Sequence, residues 1–468
     1  MKLSALFIAL AGAFTLNVQA GDMGPSTHTA PYLVASPGVE LTSILTVGDS
    51  VKKKHKGNET YRMVGIPDGL GAYDNGDGTI TVLMNHELRD TAGIVRSHGA
   101  KGAFVSKWQI RKSDLKVLNG EDLIQNVVLT SGTTTINRLC SADLAAPSAY
   151  FNSNTGKGFS EGRIFLSGEE AGATGRAFAH LASGRQHGTS YQLPALTTAS
   201  WENLVASPFE QDKTIVAGLD DGNANASKVF LYVGTKQESG NPVEMAGLTN
   251  GTAYQVKIDG YPTEGSINGS VAIPNSIHAS FSLVTDGSGS GLNRVEDGAW
   301  DTQNPNRFYF VTTDSFSGNT RLWRMTFLDI AQPELGGSIE ILVNGAVTGQ
   351  KMLDNMTVDA AGNVLMQEDP GNQSYLAKIW SYNPVSGALT QLAAFDPAQF
   401  VSGAPAFLTQ DEESSGITEV SHLFTGVEGY DTEGYRYFLL DAQVHKSIAA
   451  TDPELVEMGQ LLMVKIAK

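Results

Sequence analysis

The sequence repeats one local pattern six times along its length. In each copy, a short apolar strand ends in an acidic or polar cluster and is followed, after a gap, by a second strand that often carries Trp or Tyr. The strand pairs are 80–87 and 104–110, 163–170 and 176–181, 214–221 and 228–233, 307–314 and 321–327, 363–369 and 377–382, and 437–445 and 460–466. Repeats of this kind at irregular spacing are typical of an elaborated β-propeller, in which each repeat is one blade. The pattern therefore predicts an all-β fold, a six-bladed β-propeller with irregular loop insertions.

A β-sandwich or two separate β domains would also account for many short strands. In a propeller, the first strand of each pair would be buried between neighbouring blades, and its acidic end would lie near one mouth of the central channel. Acidic residues that are distant in the sequence would then meet in space. The segment 74–78, DNGDG, predicts a hairpin turn, and only 142–149 and 453–459 are candidate helices.

The first 20 residues have the organisation of a secretory signal peptide. Lys2 gives a positive start, residues 3–16 are largely apolar, and Val18-Gln19-Ala20 offers a small-residue cleavage site. The apolar stretch is short for a membrane span. We therefore expect a cleaved signal peptide at 1–20 and a single propeller domain at 21–468. The mature protein would be a monomer in the periplasm or outside the cell, with no membrane attachment after cleavage.

The charge balance limits the partners. A net charge of −17 argues against nucleic acid or anionic lipid as a ligand. If acidic side chains gather in one pocket, they repel one another and any anionic substrate. Bound cations would remove both problems.

Six clusters supply hard oxygen ligands, and four of them fall at the end of a first strand in the repeat. The clusters are 85–87, 169–170, 201–203, 220–221, 294–297 and 367–369. Carboxylates in such clusters suit calcium or ferric iron, although a single cluster is more often a solvated strand end. His86 is the one histidine inside a cluster. For His86, as for His445, an ordinary structural role is the alternative to a role at the site.

Cys140 is the single cysteine. In an oxidising compartment a lone thiol is either a buried, inert side chain or a ligand held by a metal. A site that mixes carboxylates with one thiolate does not suit calcium alone. Zinc is less natural too, because the chain has no Cys-x-x-Cys and no His-Glu-x-x-His motif.

Several motifs, in this order, resemble those of PhoX-type alkaline phosphatases. They are 66–69 (IPDG), 85–87 (NHE), the segment around Cys140, 165–170 (FLSGEE), 294–301 (RVEDGAWD), 368–369, 413–417 (ESSGI) and 441–445 (DAQVH). The resemblance covers most of the chain after residue 20. It implies a six-bladed propeller that hydrolyses phosphomonoesters with a mixed iron–calcium cluster, held at the central channel by carboxylates and one cysteine.

The resemblance also implies roles for individual residues. The implied iron ligands are Cys140, one of Glu169 or Glu170, Glu202 and Glu296, and the implied calcium ligands are Glu87, Asp220, Asp221 and Asp143. Arg294 would bind the phosphate, because a guanidinium binds two oxygens at once. On an extended strand Arg294 and Glu296 would face the same side. A salt bridge to Glu296 or Asp297 is the alternative role for Arg294.

These features lead us to expect a phosphoric monoester hydrolase of the alkaline phosphatase type, with iron and calcium as cofactors and small-molecule phosphoesters as substrates. The metal-dependent mechanism that the resemblance implies requires no serine or threonine nucleophile. Two alternatives remain open. One is a calcium-only propeller that hydrolyses lactones or esters, in which Cys140 and Arg294 have no necessary role. The other is a non-catalytic secreted protein whose acidic channel holds structural calcium.

Overall fold

The computed structural model describes residues 21–267 and 269–468. The predicted signal peptide at 1–20 lies outside the described residues and stays a prediction. Within the described ranges, no helix is long and apolar enough to cross a membrane.

Strands are the main regular structure of the described chain. The strands before residue 200 are β1 (Asp22–Met23), β2 (Leu33–Ala35), β3 (Val39–Thr46), β4 (Ser50–Lys53), β5 (Thr60–Arg62), β6 (Pro67–Asp74), β7 (Thr79–His86), β8 (Phe104–Arg111), β9 (Val117–Asp122), β10 (Asn126–Val128), β11 (Leu139–Asp143), β12 (Phe151–Asn152), β13 (Lys157–Gly158), β14 (Ile164–Glu169), β15 (Ala177–Leu181) and β16 (Thr189–Gln192). The later strands are β17 (Trp201–Ala206), β18 (Lys213–Asp220), β19 (Val229–Thr235), β20 (Thr252–Ile258), β21 (His278–Val284), β22 (Val295–Trp300), β23 (Arg307–Thr312), β24 (Arg321–Phe327), β25 (Gly337–Asn344), β26 (Leu353–Val358), β27 (Val364–Glu368), β28 (Lys378–Tyr382), β29 (Leu389–Phe395), β30 (Glu412–Glu419), β31 (Tyr435–Ser447) and β32 (Glu457–Ala467). The α-helices are single turns, namely α1 (Pro242–Met245), α2 (Gly345–Thr348) and α3 (Pro397–Phe400).

The sheets are arranged around a centre, with one edge strand of each repeat facing inward. Four sheets have five or six strands, in the orders β1-β3-β32-β31-β30, β10-β16-β15-β14-β11, β2-β29-β28-β27-β26 and β5-β4-β9-β8-β7-β6. A fifth, nine-stranded sheet has the order β17-β18-β19-β20-β21-β25-β24-β23-β22. The strands β6, β11, β17, β22, β26 and β30 contact one another in that order, and β30 contacts β6. These six innermost strands therefore form a closed ring.

The predicted all-β propeller class is confirmed, but the predicted six separate blades are not. Besides the two-stranded β12–β13 pair, the described strands form four separate sheets of five or six strands and one sheet of nine. The reason is β21, which pairs with β20 on one side and with β25 on the other. This strand joins the outer edges of two neighbouring four-stranded units and leaves neither edge unpaired.

All the predicted strand pairs are strands, but they are not the strands nearest the centre. Each predicted pair is the second and third strand of its unit, as β7 and β8 are beside β6. The predicted hairpin turn at 74–78 is confirmed between β6 and β7, with Gly76 and Gly78 at φ 76° and 84°.

The two predicted helices were wrong. Residues 142–143 pair with β14 as part of β11, and only a single 3-10 turn (Pro147–Ala149) follows. Residues 453–459 contain no helix, because Val456 adopts φ 62° and β32 begins at the next residue.

Apolar side chains pack between adjacent sheets and fix their positions. Trp201 on β17 is fully buried in a cluster that also contains Leu166 of β14 and Ala179 of β15. Trp108 and Trp323 are fully buried in other clusters. Burying a large apolar side chain contributes about 1.5–3 kcal/mol. These contacts hold the six innermost strands, and therefore the side chains at the centre, in fixed positions.

Candidate metal centre

Each innermost strand carries an acid or a thiol at its second residue. These residues, which we call the inner ring, are Asp68, Cys140, Glu202, Glu296, Asp354 and Glu413, and all are buried. Each innermost strand also has an irregular register just after or near this residue, as between Leu139 and Ala142 of β11. Such bulges bend a strand and redirect its side chains. The repeat therefore brings six ligand-type residues from distant parts of the sequence to one level of the channel.

A second set of residues lies at or just after the end of the second strand of each unit. We call these residues the outer ring: Glu87, Glu170, Asp221, Thr313, Asp369 and His445. Their backbone N–H groups donate to the carbonyl oxygens of Ile66, Arg138, Ser200, Arg294, Met352 and Asp411, respectively, over 2.8–3.0 Å. Each acceptor lies two residues before an inner-ring member. The identical hydrogen bond in all six units shows that the two rings are built by the repeat itself.

Two arginines stand at the same position of different units. Arg138 precedes Cys140 by two residues, and Arg294 precedes Glu296 by two, with φ angles of 48° and 56°. Such left-handed angles are uncommon for residues other than glycine and concentrate at functional sites. The Nη2 atom of Arg138 lies 2.5 Å from carboxylate oxygens of both Glu87 and Glu170.

Arg294 makes the corresponding contacts on its own side of the channel. Its Nε and Nη2 atoms each donate to Asp221 over 2.9 Å, and Nη2 lies 3.1 Å from Glu296. Arg138 is therefore held between two carboxylates of the outer ring, and Arg294 is held between one carboxylate of each ring. Arg294 therefore forms salt bridges to Glu296 and Asp221. It forms none to Asp297, whose partners are Asn203, Gly298 and Met356.

The ligand-type atoms are close enough to share metal ions. Three groups have ligand atoms that all lie within 4.8 Å of one another: Asp68, Glu87 and Cys140; Cys140, Glu170 and Glu202; and Glu202, Glu296 and Asp354. The groups share members, so they form one continuous cluster.

Several oxygens of this cluster are buried with no hydrogen-bond partner among the described residues. They are Asp68 Oδ1, Glu202 Oε1 and Asp354 Oδ1. Buried polar atoms without a partner are rare and cost free energy. Cations would satisfy these oxygens, so the residues present fit a metal cluster.

Burial and mutual repulsion make the ionised forms of these carboxyl groups unfavourable. Burial raises the pKa of Asp68, Glu202, Glu296 and Asp354 well above the usual range, and neighbouring carboxylates raise these pKa values further. Burial, the Asp68 charge and the Glu202 charge likewise raise the pKa of the Cys140 thiol. A bound cation reverses this effect and keeps a thiol deprotonated.

His445 adds a cationic side chain to the outer ring. Burial lowers its pKa, but hydrogen bonds and charge interactions with Glu413 and Glu457 raise the pKa well above the usual value overall. Its Nδ1 atom lies 2.8 Å from Glu457, and Nε2 lies 3.4 Å from Glu413. His86, in contrast, is buried away from the centre between Ser106 and the Gly65 carbonyl, with the structural role given above as its alternative.

The structure brings most of the predicted site residues together. Cys140, Glu170, Glu202, Glu296, Glu87, Asp221 and Arg294 all belong to the two rings or contact them. Three predicted metal ligands lie elsewhere. Glu169 pairs with Arg176, Asp220 accepts from the backbone N–H groups of Ser200 and Lys228, and Asp143 accepts from the backbone N–H of Ala206.

The alternation of strands explains these positions. Consecutive residues of a strand face opposite sides, so Glu169 and Asp220 face away from the side of their neighbours Glu170 and Asp221. Asp143 lies three residues beyond Cys140 on β11, toward the far end of the channel. The sequence left open which of Glu169 and Glu170 is the candidate ligand. In the structure, Glu170 lies with Cys140 and Glu202, whereas Glu169 does not.

Sequence reasoning did not assign roles to several residues of the centre. These are Asp68, Asp354, Asp369, Glu413, Arg138 and His445. The role of Arg138 could have been inferred from the spacing shared by Arg138-Leu139-Cys140 and Arg294-Val295-Glu296. Asp354 had no such signal, because its surroundings read as an ordinary polar loop.

Several solved structures are similar in fold to this chain. Pseudomonas fluorescens PhoX in complex with vanadate, a transition state analogue, matches with a TM-score of 0.63 and 10% identity, over 96% of this chain and 98% of that chain. A Trypanosoma rangeli sialidase matches with a TM-score of 0.40 and 8% identity, over 92% and 60% of the two chains. A fungal alcohol oxidase in complex with copper has a TM-score of 0.38 at 10% identity, over 90% and 76%.

No protein-family model and no curated protein sequence matches this chain. At these identities the structural similarity concerns the fold alone. The chain therefore has a PhoX-like propeller fold, with acidic clusters that can bind metal.

Proposed function

We propose that this protein is an exported, metal-dependent phosphatase that hydrolyses small-molecule phosphomonoesters at a mixed iron–calcium cluster. The observation that carries the proposal is the position of Cys140, the one thiol, in two of the three overlapping ligand groups. A calcium-only hydrolase or a structural calcium site has no need of a thiolate at this point. The PhoX-like fold supports the proposal.

The donor set suggests how the metals are divided. Cys140, Glu170, Glu202 and Glu296 are the proposed iron ligands, and Glu87 and Asp221 are proposed calcium ligands, to which we add Asp68 and Asp354. When bound, the metals would supply Lewis-acid chemistry, polarising the phosphoryl group and activating water. Their positive charge would also remove the repulsion between the buried carboxylates.

The arginines would bind and orient the phosphoryl group. A guanidinium presents a fork of N–H donors that matches two phosphate oxygens. Arg294 and Arg138 are each fixed by carboxylates of the rings, which sets the direction of this fork before the substrate arrives. Such preorganised donors stabilise the charge that develops on the equatorial oxygens during phosphoryl transfer.

Metal analysis combined with turnover tests this proposal. Protein purified from its native compartment should contain both iron and calcium and should hydrolyse an aryl phosphomonoester. Calcium without iron, together with faster turnover of lactones or carboxylic esters, would instead indicate the calcium-only hydrolase. Calcium with no turnover of any of these substrates would indicate a binding protein.

A further inference from the structure

The central channel is closed on the far side of the metal centre. The residues that follow the inner ring include Ser141, Asn203, Asp297 and Asn355. Ser141 and Asn355 are hydrogen-bonded, although β11 and β26 lie opposite one another in the ring. Asn203 donates to Asp297 over 2.6 Å. This polar layer separates the metal centre from the remainder of the channel.

Beyond the polar layer, the far end of the channel holds a cavity of about 450 Å³ that opens to solvent. Apolar side chains form much of its wall, among them Leu70, Leu144, Val205, Trp300 and Met356. The polar edge of Trp300 is satisfied, because its Nε1 donates to the Val205 carbonyl over 3.1 Å. The volume and the mixed polar and apolar wall suit a small organic molecule that has both a polar and an apolar part.

Two basic side chains line this cavity without a partner. Arg163 is half-buried with its guanidinium 5.8 Å from the centre of the Tyr73 ring, and His422 is exposed. Neither the guanidinium nor the imidazole has a hydrogen bond or an ion pair with any described residue. The chain has 49 acidic residues and 32 Lys and Arg residues, so acidic partners for an arginine are plentiful. Partly desolvated N–H donors without an acceptor point to an anionic group that binds there.

Three carboxyl groups also line the cavity, those of Asp143, Asp297 and Glu419. Asp297 accepts from Asn203, Gly298 and Met356, and Glu419 accepts from Ala360 and Ser421. Asp143 accepts from the backbone N–H of Ala206 through Oδ2, and Oδ1 has no partner among the described residues. Burial raises the pKa of Asp143 to about 7, so this group carries less negative charge at neutral pH than an ordinary aspartate. Asp143 therefore offers a hydrogen bond to a polar group of a ligand with little repulsion of an anion.

We propose that the far mouth of the channel is a second ligand site, which binds a small amphipathic organic anion. The acidic head of the ligand would bind Arg163 and His422, and its apolar body would occupy the cavity between Leu144, Trp300 and Met356. This site is independent of the proposed phosphatase activity, because it shares no residue with the two rings.

The test uses three probes of the same shape and different charge on the metal-loaded full chain. They are 4-phenylbutyrate, 4-phenylbutan-1-ol and 4-phenylbutylamine, and calorimetry or ligand-observed NMR measures their binding. The carboxylate should bind more tightly than the alcohol and the amine. Arg163→Gln should weaken carboxylate binding about tenfold or more, which corresponds to about 1.4 kcal/mol. Arg185→Gln, at an exposed arginine outside the cavity, is the matched control and should leave binding unchanged.

A competition experiment locates the probe. Saturating inorganic phosphate should leave the dissociation constant of 4-phenylbutyrate unchanged, because the polar layer separates the two sites. Displacement by phosphate would place the probe at the metal centre and overturn the proposal. Equal affinity for the alcohol, no binding of the carboxylate, or full affinity in Arg163→Gln would overturn it as well.

Discussion

At the residue scale, Arg138 and Arg294 share a backbone conformation that brings a guanidinium to the metal centre. Their left-handed φ angles of 48° and 56° cost non-glycine residues on the order of 1–3 kcal/mol each. Ile66 and Met352 adopt the same conformation at the equivalent positions, with φ 50° and 42°. Four of the six units therefore share this conformation, and two of the four use it to present an arginine.

The first prediction concerns the shape of the Arg294 side chain. Arg294→Lys should lower kcat/KM for phosphomonoesters by more than about tenfold, or about 1.4 kcal/mol of transition-state stabilisation, because lysine keeps the charge but not the fork. Iron and calcium contents should stay at the wild-type level. Arg324→Lys is the matched control, since Arg324 also pairs with a glutamate, Glu340, but outside the two rings. Wild-type turnover in Arg294→Lys would exclude the phosphate-binding role.

The second prediction concerns the thiol. Cys140→Ala should abolish iron binding and activity, whereas Cys140→Ser should retain a weakened site, because the hydroxyl is a poorer donor than a thiolate for a transition metal. Elemental analysis and phosphatase assays measure both effects. Ser141→Ala, at the next residue of the strand, should keep its iron. Full iron content and turnover in Cys140→Ala would restore the interpretation of Cys140 as an inert buried thiol.

At the scale of elements, strands farther from the central channel were easier to predict from the sequence than the innermost strands. The second and third strands of each unit, such as β7 and β8, are continuous and rich in apolar residues, so their pattern was readable. The innermost strands are bulged and partly polar, as in β26 with the sequence LDNMTV, and the repeated strand-pair pattern does not include them. Because the ligands lie on these strands, the sequence predicted the fold class and the outer-ring acids better than the inner ring.

The third prediction uses the alternation of side chains at the end of β14. Glu170→Gln should lower the iron content and activity, because Glu170 shares a ligand group with Cys140 and Glu202. Glu169→Gln should keep both metals and activity but lower stability by about 1–3 kcal/mol, because it weakens charged hydrogen bonds to Arg176. Denaturant unfolding and elemental analysis separate the two effects. Loss of iron in Glu169→Gln with retention in Glu170→Gln would reverse the assignment.

At the scale of the whole molecule, the propeller concentrates negative charge at one end of its channel. The chain has a net charge of −17, and the two rings hold most of their acids within contact of one another. Rigid sheets prevent these carboxylates from moving apart. We therefore expect bound cations to stabilise the folded protein as well as to support the proposed chemistry.

The fourth prediction follows from the raised pKa values of buried groups. Burial raises the pKa of Glu413 to about 7 and that of Glu412 to about 8. A carboxyl group with a raised pKa in the folded state contributes stability only while it is protonated, so stability falls as pH rises toward the folded-state pKa. His445, whose pKa is also raised, acts in the same direction.

Other histidines act in the opposite direction, but at lower pH. Burial lowers the pKa of His86 and His180 from 6.5 to about 3, so their contribution to stability is complete above pH 6.5. Between about pH 6.5 and 8, the melting temperature of chelator-treated protein should fall. The calcium-loaded protein should show a higher melting temperature and a shallower decline, because cations stabilise the ionised carboxylates. Thermal unfolding at fixed ionic strength measures both curves, and identical curves would contradict a role for calcium.

The pairing of β3 with β32 joins residues near position 40 to residues near position 460, and β2 pairs with β29 of the neighbouring sheet. Segments far apart in the chain must therefore meet before the ring can close, and loop-closure entropy makes such steps slow. The inner ring is complete only after this closure, since β30 belongs to the sheet that β3 and β32 complete. Until then Glu413 of β30 stays apart from Asp68 of β6, with which its charge interacts in the folded protein. Completion of the charged site thus becomes a late event in folding, and the partly folded chain does not meet the repulsion between these two carboxylates.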